Sequence, residues 1–304
     1  MSTIFPEDKH REILANCVDV PEEKPSFPLP LQKAGISGKT VWIRLAGNKG
    51  GHIPFNAAIH VNLEAGRRGI HMSRIEQAIT SLHDRIFTSV PEYGALLADR
   101  VLTAQKAQCV SVQLTGRLPF EQMTPVSRLW SVDTIEVRFT ATLEKSNGAG
   151  ILHNSIGVGM HHLTACPCTL AYNEKLFNRS NDPWPHPTHS QRSKTELSVG
   201  PPPGSPIPAY QDLTDVLDKA LHISRDLLKR PDETELVLKA HKLPQFAEDT
   251  VREVARRAGE KFRDILAPAT RIEVRSISLE SIHIHDVECW LDTCLSDILA
   301  AMQS

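Results

Sequence analysis

The sequence predicts an α+β protein in which the order strand–strand–helix–helix–strand–strand occurs twice. Two observations lead to this prediction. Segments in which apolar and polar residues alternate, typical of half-buried strands, flank segments whose apolar residues recur at helical spacing. The same order of segments then returns loosely in the second half of the 304 residues. Because the halves share no evident sequence identity, the repeat is predicted from element order alone.

An N-terminal arm precedes the first half. Residues 1–37 are rich in proline and charge and are predicted to lack a core of their own. The first half, residues 38–150, has predicted strands at 40–45, 57–63, 107–114 and 134–143 and predicted helices at 73–88 and 91–105. Ser73 is the predicted N-cap of the first helix, and Glu76 completes a capping box. The glycine-containing run 47–52 lacks the spacing of a phosphate loop and is predicted to be a turn.

The second half comprises residues 151–304. Its predicted strands are 156–163, 195–199, 271–277 and a continuation at 279–285. Its predicted helices are 214–228, 233–240 and 244–262, followed by a helix at the C-terminus. An irregular stretch with proline and histidine separates the first two strands. We expect the joint between the halves in the glycine-containing stretch 146–150.

Composition excludes several classes of protein. The chain has 34 Lys and Arg against 36 Asp and Glu, so no net positive field favours nucleic acid or an anionic membrane. No run of about 18 apolar residues predicts a membrane-spanning helix, and residues 1–10 lack the pattern of a signal peptide. The six cysteines are too scattered for a small disulfide-rich domain, which indicates a reducing cytoplasm.

Residues able to bind a divalent metal ion occur at distant places in the second half. Cys166 directly follows a predicted strand in the motif Cys-Pro-Cys, and His189, Glu233 and His283 come later. Thiolate, imidazole and carboxylate together suit Zn²⁺ or Fe²⁺, with Mn²⁺ as a further choice. Ligands from distant segments are typical of a catalytic metal, although a single histidine is more often a surface residue. His283 and His285 share a face if 279–285 is a strand.

Six motifs in a fixed order, covering roughly residues 55–290, resemble those of the type IB GTP cyclohydrolases and their archaeal-type relatives. They are Gly-Ile-His-Met-Ser-Arg at 69–74, Cys-Pro-Cys at 166–168, His-x-Gln-Arg at 189–192, Lys-Arg-Pro-Asp-Glu at 229–233, Pro-Gln-Phe-Ala-Glu-Asp at 244–249 and Glu-Ser-Ile-His-x-His-Asp at 280–286. The first and last are specific in combination. The chain departs from the family at Ser190, usually Asn, and at Ala247, usually Val. Its loop between Cys168 and His189 is also longer than in many relatives.

The resemblance implies a reaction and a metal site. The family opens the imidazole ring of GTP with water activated by a metal ion, releases formate and forms 7,8-dihydroneopterin triphosphate. The implied metal ligands are Cys166, His189, Glu233 and His283. Cys166 and His285 are the implied catalytic residues, His285 as a proton donor, as a residue that contacts a metal ligand, or as the alternative fourth ligand. Cys168 is interpreted as a structural or second-sphere thiol.

The resemblance also implies a substrate site. Glu248 corresponds to the residue that recognises guanine, because a carboxylate accepts two parallel hydrogen bonds from the N1–H and 2-amino groups. His71, Arg74 and Arg192 are implied as ligands of the triphosphate or ribose. A structural salt bridge is the alternative role for Arg74.

The implied architecture is a tunnelling fold, whose strand–strand–helix–helix–strand–strand modules close into barrels by oligomerising. For this chain it implies a homotetramer with GTP sites at subunit interfaces, and sheet edges left open in a monomer fit that assembly. Three alternatives of function are open. They are formation of dihydroneopterin 2′,3′-cyclic phosphate, nitrile reduction as in the queuosine pathway (whose nicotinamide motif is missing here), and non-catalytic binding of a pterin or purine with a structural zinc.

Overall fold

A single antiparallel sheet organises the computed structural model, which describes residues 4–47, 51–146, 149–178 and 183–303. The strands are β1 (Leu31–Leu45), β2 (His52–Leu63), β3 (Ile86–Phe87), β4 (Cys109–Met123), β5 (Trp130–Ser146), β6 (Ala149–Ala165), β7 (Ser190–Gly200), β8 (His222–Ile223), β9 (Arg271–Ser278) and β10 (Val287–Cys294). The helices are α1 (Glu7–Asn16), α2 (Met72–Thr80), α3 (Val90–Gln105), α4 (Pro167–Leu176), α5 (Tyr210–Ala220), α6 (Arg230–Lys242), α7 (Ala247–Phe262) and α8 (Leu295–Ala301), with a short 3-10 helix at Val20–Glu22.

The sheet runs through both halves of the chain without a break. Its strand order is β10-β9-β7-β6-β5-β4-β2-β1-β3, and β8 pairs with β6. All the long neighbouring strands are antiparallel. β5 and β6 form the hairpin between the halves, with Ser146 opposite Ala149. The α+β class predicted from the sequence is therefore confirmed.

The hydrophobic core lies between one face of the sheet and the helices. Side chains alternate along each strand, so every second residue is buried along β7, along most of β5 and from Val110 to Leu114 in β4, where the sheet packs against α3, α5 or α7. The close approach of α3 requires Gly94, because a Cβ atom there would lie 2.2 Å from Phe139 Cε1. The opposite face carries charged residues that pair with one another, such as Lys194 with Glu136 at 2.6 Å and with Glu196 at 3.0 Å.

Most predicted elements of the first half are confirmed, but its first helix is not as predicted. α2 begins at Met72 with His71 as its N-cap, and it ends at Thr80. The capping box on Ser73 was wrong because a tertiary partner, Gln105, bonds the His71 backbone at both N–H and carbonyl, at 3.1 and 2.7 Å. Residues 86–87 form β3 instead of helix, since the parallel pairing with β1 buries Phe87.

In the second half the predicted strand 279–285 was wrong. β9 ends at Ser278, which is already paired with Val287 of β10, so residues 279–286 form the connection between these strands. Ile282 and Ile284 are exposed there, which shows that the apolar–polar alternation did not reflect burial. The helix predicted at 214–228 ends at Ala220, because residues 222–223 pair with β6 as β8. Neither α4 nor β10 was predicted.

Two other expectations fall partly outside the described residues. The turn at 47–52 and the joint at 146–150 include residues 48–50 and 147–148, of which the structure gives no description. β1 begins at Leu31 and so takes in the last residues of the stretch 1–37. No helix within the described ranges is long and apolar enough to cross a membrane.

Candidate functional site

Most of the site residues predicted from the sequence lie at one end of the sheet. β6 ends at Ala165 opposite Ser190, the first residue of β7, and Ser193 pairs with Ser278, the last residue of β9. The first turn of α6 is bonded to the tip that connects β4 and β5, Glu248 of α7 lies near Cys289 of β10, and the connection 279–286 follows β9 at this same end. We call this region the Cys166 end.

Cys166 lies where β6 gives way to α4. It is the N-cap of α4, and Pro167 occupies the first helical position, where a missing N–H is harmless. Its backbone N–H donates to the His189 carbonyl at 3.0 Å, and its carbonyl accepts from Thr188 Oγ1 at 2.8 Å. These bonds place Cys166 beside His189. Cys168 is exposed one step further into the helix.

His189 is oriented by a chain of hydrogen bonds. Gln191 Nε2 donates to Glu280 Oε1 at 3.3 Å, so the amide oxygen of Gln191 faces the other way, toward His189. His189 Nδ1 lies 3.1 Å from that oxygen and must therefore carry a hydrogen. In the neutral ring the lone pair is then on Nε2, which is the form in which imidazole binds a metal ion.

A buried polar layer supports this end of the sheet from within. Its hydroxyl and imidazole groups come from adjacent strands and bond across them: Thr164 with Ser193, Ser193 with Ser278, His162 with Thr195, and Thr195 with Ser276, at 2.8 to 3.2 Å. Ser278 continues the layer to Glu280 at 2.8 Å. Burial, with a smaller effect of neighbouring His222, lowers the pKa of His162 to about 3, so this imidazole is neutral.

Glu233 stands in the first turn of α6, as the sequence predicts, with its side chain exposed. The preceding residue, Asp232, is fully buried. Desolvation alone would raise the pKa of Asp232, but hydrogen bonds from Ser127, Val126 and Lys229 outweigh it and hold the pKa below its usual range. Asp232 is thus an ionised carboxylate whose oxygens are occupied by hydrogen bonds within the protein, whereas the neighbouring Glu233 carboxylate is exposed.

Glu248 and Arg192 also lie near this end, Glu248 beside β10 and Arg192 on the opposite face of the sheet from Gln191. Glu248 is exposed in the first turn of α7 and lies near Cys289. Burial raises the pKa of the Cys289 thiol most, and the negative charge of Glu248 raises it further. Arg192 is exposed between the buried residues Gln191 and Ser193, so it projects from the opposite face of the sheet. In a single chain Arg192 is therefore not beside the His189 ring.

His283 and His285 lie on the exposed connection 279–286, and their rings stack with centroids 5.3 Å apart. Within the described part of the chain, no three ligand atoms among Cys166, His189, Glu233 and His283 come within 4.8 Å of one another. The structure thus brings the four predicted metal ligands to one end of the sheet without closing them into a compact site.

His71 and Arg74 lie at the other end of the sheet, which we call the His71 end. The strand pairings align Val61 with Val110, Val110 with Leu143, and Leu143 with Leu152. From Leu152 the strand β6 continues to Ala165 before reaching Cys166. At about 3.3 Å per residue, the two ends are roughly 40 Å apart.

The N-terminal arm covers the His71 end with carboxylates, a feature that the sequence did not reveal. Glu22 Oε1 lies 2.9 Å from His71 Nε2 and 3.1 Å from Arg67 Nη2, and Asp19 lies 3.6 Å from Arg74. The hydrogen bond from His71 lowers the pKa of Glu22. The charged run around Pro21 was the only signal in the sequence.

Asp19, Glu22 and His71 are also the one group of three potential metal ligands that converges within the described ranges. The two carboxylates, however, approach different nitrogens of one imidazole, and Arg67 and Arg74 already neutralise them. A single ion cannot bind both ring nitrogens of His71. We therefore interpret this group as an ion-pair network.

Comparison with known proteins gives a consistent picture. GTP cyclohydrolase MptA of Pyrococcus abyssi (strain GE5 / Orsay) is 31% identical over 286 residues, covering 90% of this chain and 99% of the relative. The protein of the same name from Thermococcus kodakarensis is 30% identical over 286 residues, with the same coverage of 90% and 99%. Among solved structures, a uricase from Bacillus fastidious has a TM-score of 0.54 at 6% identity, covering 90% of this chain and 96% of the uricase, and shows a similar fold. The family model described as type I GTP cyclohydrolase folE2 matches residues 17–288, and the chain belongs to this family.

Proposed function

We propose that this protein is a GTP cyclohydrolase that opens the imidazole ring of guanine with the help of a divalent metal ion and releases formate. Family membership supports the reaction class. The observation in this chain that carries the proposal is that His189 adjoins Cys166 through a backbone hydrogen bond and that Gln191 holds its ring at Nδ1, which leaves Nε2 for a metal ion. A binding protein with a structural zinc is the non-catalytic alternative, and it predicts that the protein unfolds when the metal is removed.

The donor set fits a catalytic metal ion. Cys166, His189 and Glu233 would hold the ion, with His283 or His285 as the fourth ligand. A bound Fe²⁺, Mn²⁺ or Zn²⁺ supplies hydroxide near neutral pH by lowering the pKa of water. Gln191 and Glu280 keep the His189 ring in the ligating tautomer, and the histidine that does not bind the ion would donate a proton to the opening ring.

The Glu248 carboxylate is proposed to recognise guanine. Among the described residues, the Glu248 carboxylate makes no ion pair and no hydrogen bond, so both oxygens are available to guanine N1–H and its 2-amino group. Arg192, Arg74 and His71 are proposed to bind the triphosphate, because guanidinium and imidazole N–H groups can donate hydrogen bonds to phosphate oxygens.

The two ends of the sheet can contact the same GTP molecule only if they belong to two different chains that associate. A nucleotide is much shorter than the roughly 40 Å of strand that separates His71 from Cys166. We therefore propose a homo-oligomer, a homotetramer in the tunnelling-fold arrangement, in which the His71 end of one subunit meets the Cys166 end of another. The strand order β1-β2-β4-β5 and β6-β7-β9-β10 supports two such modules per chain, with α4 and β8 as additions to the second.

The proposed product is 7,8-dihydroneopterin triphosphate, a pterin precursor. The 2′,3′-cyclic phosphate is the second candidate, and similarity to two archaeal cyclohydrolases is the observation that favours testing it. A reducing compartment such as the cytoplasm is part of the proposal, because all six cysteines are unpaired.

The test is anaerobic chelation and reconstitution. We expect exhaustive chelation to abolish formate release from GTP and Fe²⁺ or Mn²⁺ to restore it, with circular dichroism unchanged throughout. Mass spectrometry of the product distinguishes the linear from the cyclic phosphate. Full turnover by protein shown to be metal-free would overturn the proposal, and unfolding on chelation would favour a structural zinc.

A further inference from the structure

The first turn of α6 has little hydrophobic anchoring. α6 buries only two residues, Asp232 and Ala240, whereas α5 buries five and α7 buries eight. Because tertiary packing of an apolar face normally holds a helix in place, α6 needs another means of fixing its N-terminus. That N-terminus carries Glu233.

Asp232 provides this fixation through its buried carboxylate. Its Oδ1 accepts hydrogen bonds from the backbone N–H groups of Val126 and Ser127 at 2.8 and 3.0 Å. Its Oδ2 accepts from Ser127 Oγ at 2.6 Å and from the Lys229 N–H at 3.1 Å. Val126 and Ser127 belong to the tip that connects β4 and β5, more than a hundred residues earlier in the chain. Hydrogen bonds to an ionised carboxylate are stronger than those between neutral groups.

A second carboxylate strengthens the same connection. Asp133 on β5 accepts from the Asp226 N–H at 3.2 Å and from Ser131 Oγ at 2.6 Å, and it is also bonded by Gln122. The chain around Lys229 is therefore hydrogen-bonded to the β4–β5 hairpin twice, before it through Asp226 and after it through Asp232.

Glu233 depends on this tie for its position. Among the residues that the structure describes, its carboxylate has no hydrogen bond or ion pair. Only its backbone, one residue from Asp232, fixes where the carboxylate can reach. A shift of the first turn of α6 would carry Glu233 with it.

We propose that Asp232 is a positioning residue for the metal site, which holds Glu233 in place by tying the first turn of α6 to the tip of the β4–β5 hairpin. The inference rests on the proposed function, since Glu233 acts as a metal ligand only there. It adds a part of the first half of the chain, the hairpin tip, to the support of a site whose ligands all come from the second half.

The chain offers a matched control in α5. Asp212 occupies the same third helical position and accepts from the Ala209 N–H at 2.9 Å, as Asp232 does from Lys229. Its carboxylate, however, pairs with Lys261 at 2.9 Å and makes no bond to the hairpin. Asp212→Asn thus weakens a helix N-terminus without touching the tie. Asp232→Asn keeps the size but turns an N–H group toward donors of Ser127 and Lys229.

The experiment is calorimetric titration of the metal-free full-length protein with Mn²⁺ or Zn²⁺, together with kcat and KM for GTP. We expect Asp232→Asn to weaken metal binding by about 10- to 100-fold, the usual effect of losing an outer partner of a metal site. kcat should recover at saturating metal while the KM for GTP stays unchanged. Asp212→Asn should bind metal as the wild type does.

Ser127→Ala, which removes one of the four hydrogen bonds, keeps the test decisive if Asp232→Asn does not fold. It should weaken metal binding in the same direction by a smaller factor. Wild-type metal affinity in folded Asp232→Asn, or in Ser127→Ala when the first variant is unfolded, would overturn the inference. Wild-type affinity in Glu233→Gln would remove Glu233 from the ligand set and overturn the inference with it. If metal affinity falls in Glu233→Gln but not in the Asp232 or Ser127 variants, the proposed function stands and only the positioning role of Asp232 is rejected.

Discussion

The Cys166 end and the His71 end of the sheet differ in how their charged groups are paired. At the Cys166 end, Glu233 and Glu248 are exposed and have no cationic partner among the described residues. At the His71 end, His71 and Arg74 are already bonded to carboxylates of the arm. Carboxylates without a cationic partner can meet a metal ion or guanine, whereas side chains already paired with carboxylates can exchange one anion for another. If the site is as proposed, neither end by itself has all the groups that GTP requires.

The largest effect is expected from Cys166. Cys166→Ala should abolish turnover and weaken metal binding, whereas Cys168→Ala should keep substantial activity, because Cys166 neighbours His189 and Cys168 lies exposed in α4. Metal analysis and formate release measure both. Equal metal content in wild type and Cys166→Ala would remove this thiol from the ligand set, and the Cys166 end would lose its defining residue.

Glu248→Gln should damage guanine recognition more than metal binding. An amide offers one acceptor and one donor, so one guanine N–H loses its partner at a cost of about 1–3 kcal/mol. That cost corresponds to roughly a ten- to hundredfold loss in affinity for GTP. Titration with GTP measures it, and Glu260→Gln on the far turn of α7 is the control. Unchanged binding would contradict a guanine site at this end.

The buried layer at the Cys166 end should make the protein sensitive to acid. Burial lowers the pKa of His162 to about 3, while an unfolded histidine titrates near 6.5. Between these values the unfolded chain binds one more proton, so the free energy of unfolding falls by up to about 1.4 kcal/mol per pH unit as pH drops below about 6.5. This stabilisation is fully present above about pH 6.5.

Urea unfolding between pH 7 and 5 measures that slope. His162→Gln retains a partner for Thr195 but cannot titrate, so its slope should be smaller than that of the wild type. Identical slopes in the two proteins would show that His162 does not carry the acid sensitivity.

The smallest effect is expected from the arm. The double variant Asp19→Asn, Glu22→Gln removes carboxylates that compete with a triphosphate for His71 and Arg74. Because exposed ion pairs contribute only about 0–1 kcal/mol, the KM for GTP should fall by at most about fivefold. Glu7→Gln, which affects only the pair with Arg11 inside α1, is the control. A higher KM would mean that the arm holds these residues in place for the substrate.

The sequence predicted those features of the site that depend on short motifs. The α+β class, the positions of most strands, Cys166 at a strand end and Glu233 in a helix start all follow from local patterns. The hydrogen bonds that orient His189 do not, because Gln191 reaches Glu280, 89 residues away in the chain. The same holds for Asp232 and the hairpin tip. Residues 279–285 alternate like a strand but lie in an exposed connection, so a local pattern misplaced His283 and His285.

The most direct test of the account is complementation between subunits. Cys166→Ala and Arg74→Ala, carrying different affinity tags, are co-expressed, and the mixed oligomers are purified on both tags. If each site combines the Cys166 end of one chain with the His71 end of another, the mixed oligomers should regain roughly one quarter of wild-type formate release. The reason is that, with random mixing, both ends are intact at about one site in four. Each variant by itself should be nearly inactive. Mixed oligomers as inactive as their parents, or an Arg74→Ala protein with wild-type activity, would contradict a site shared between the two ends.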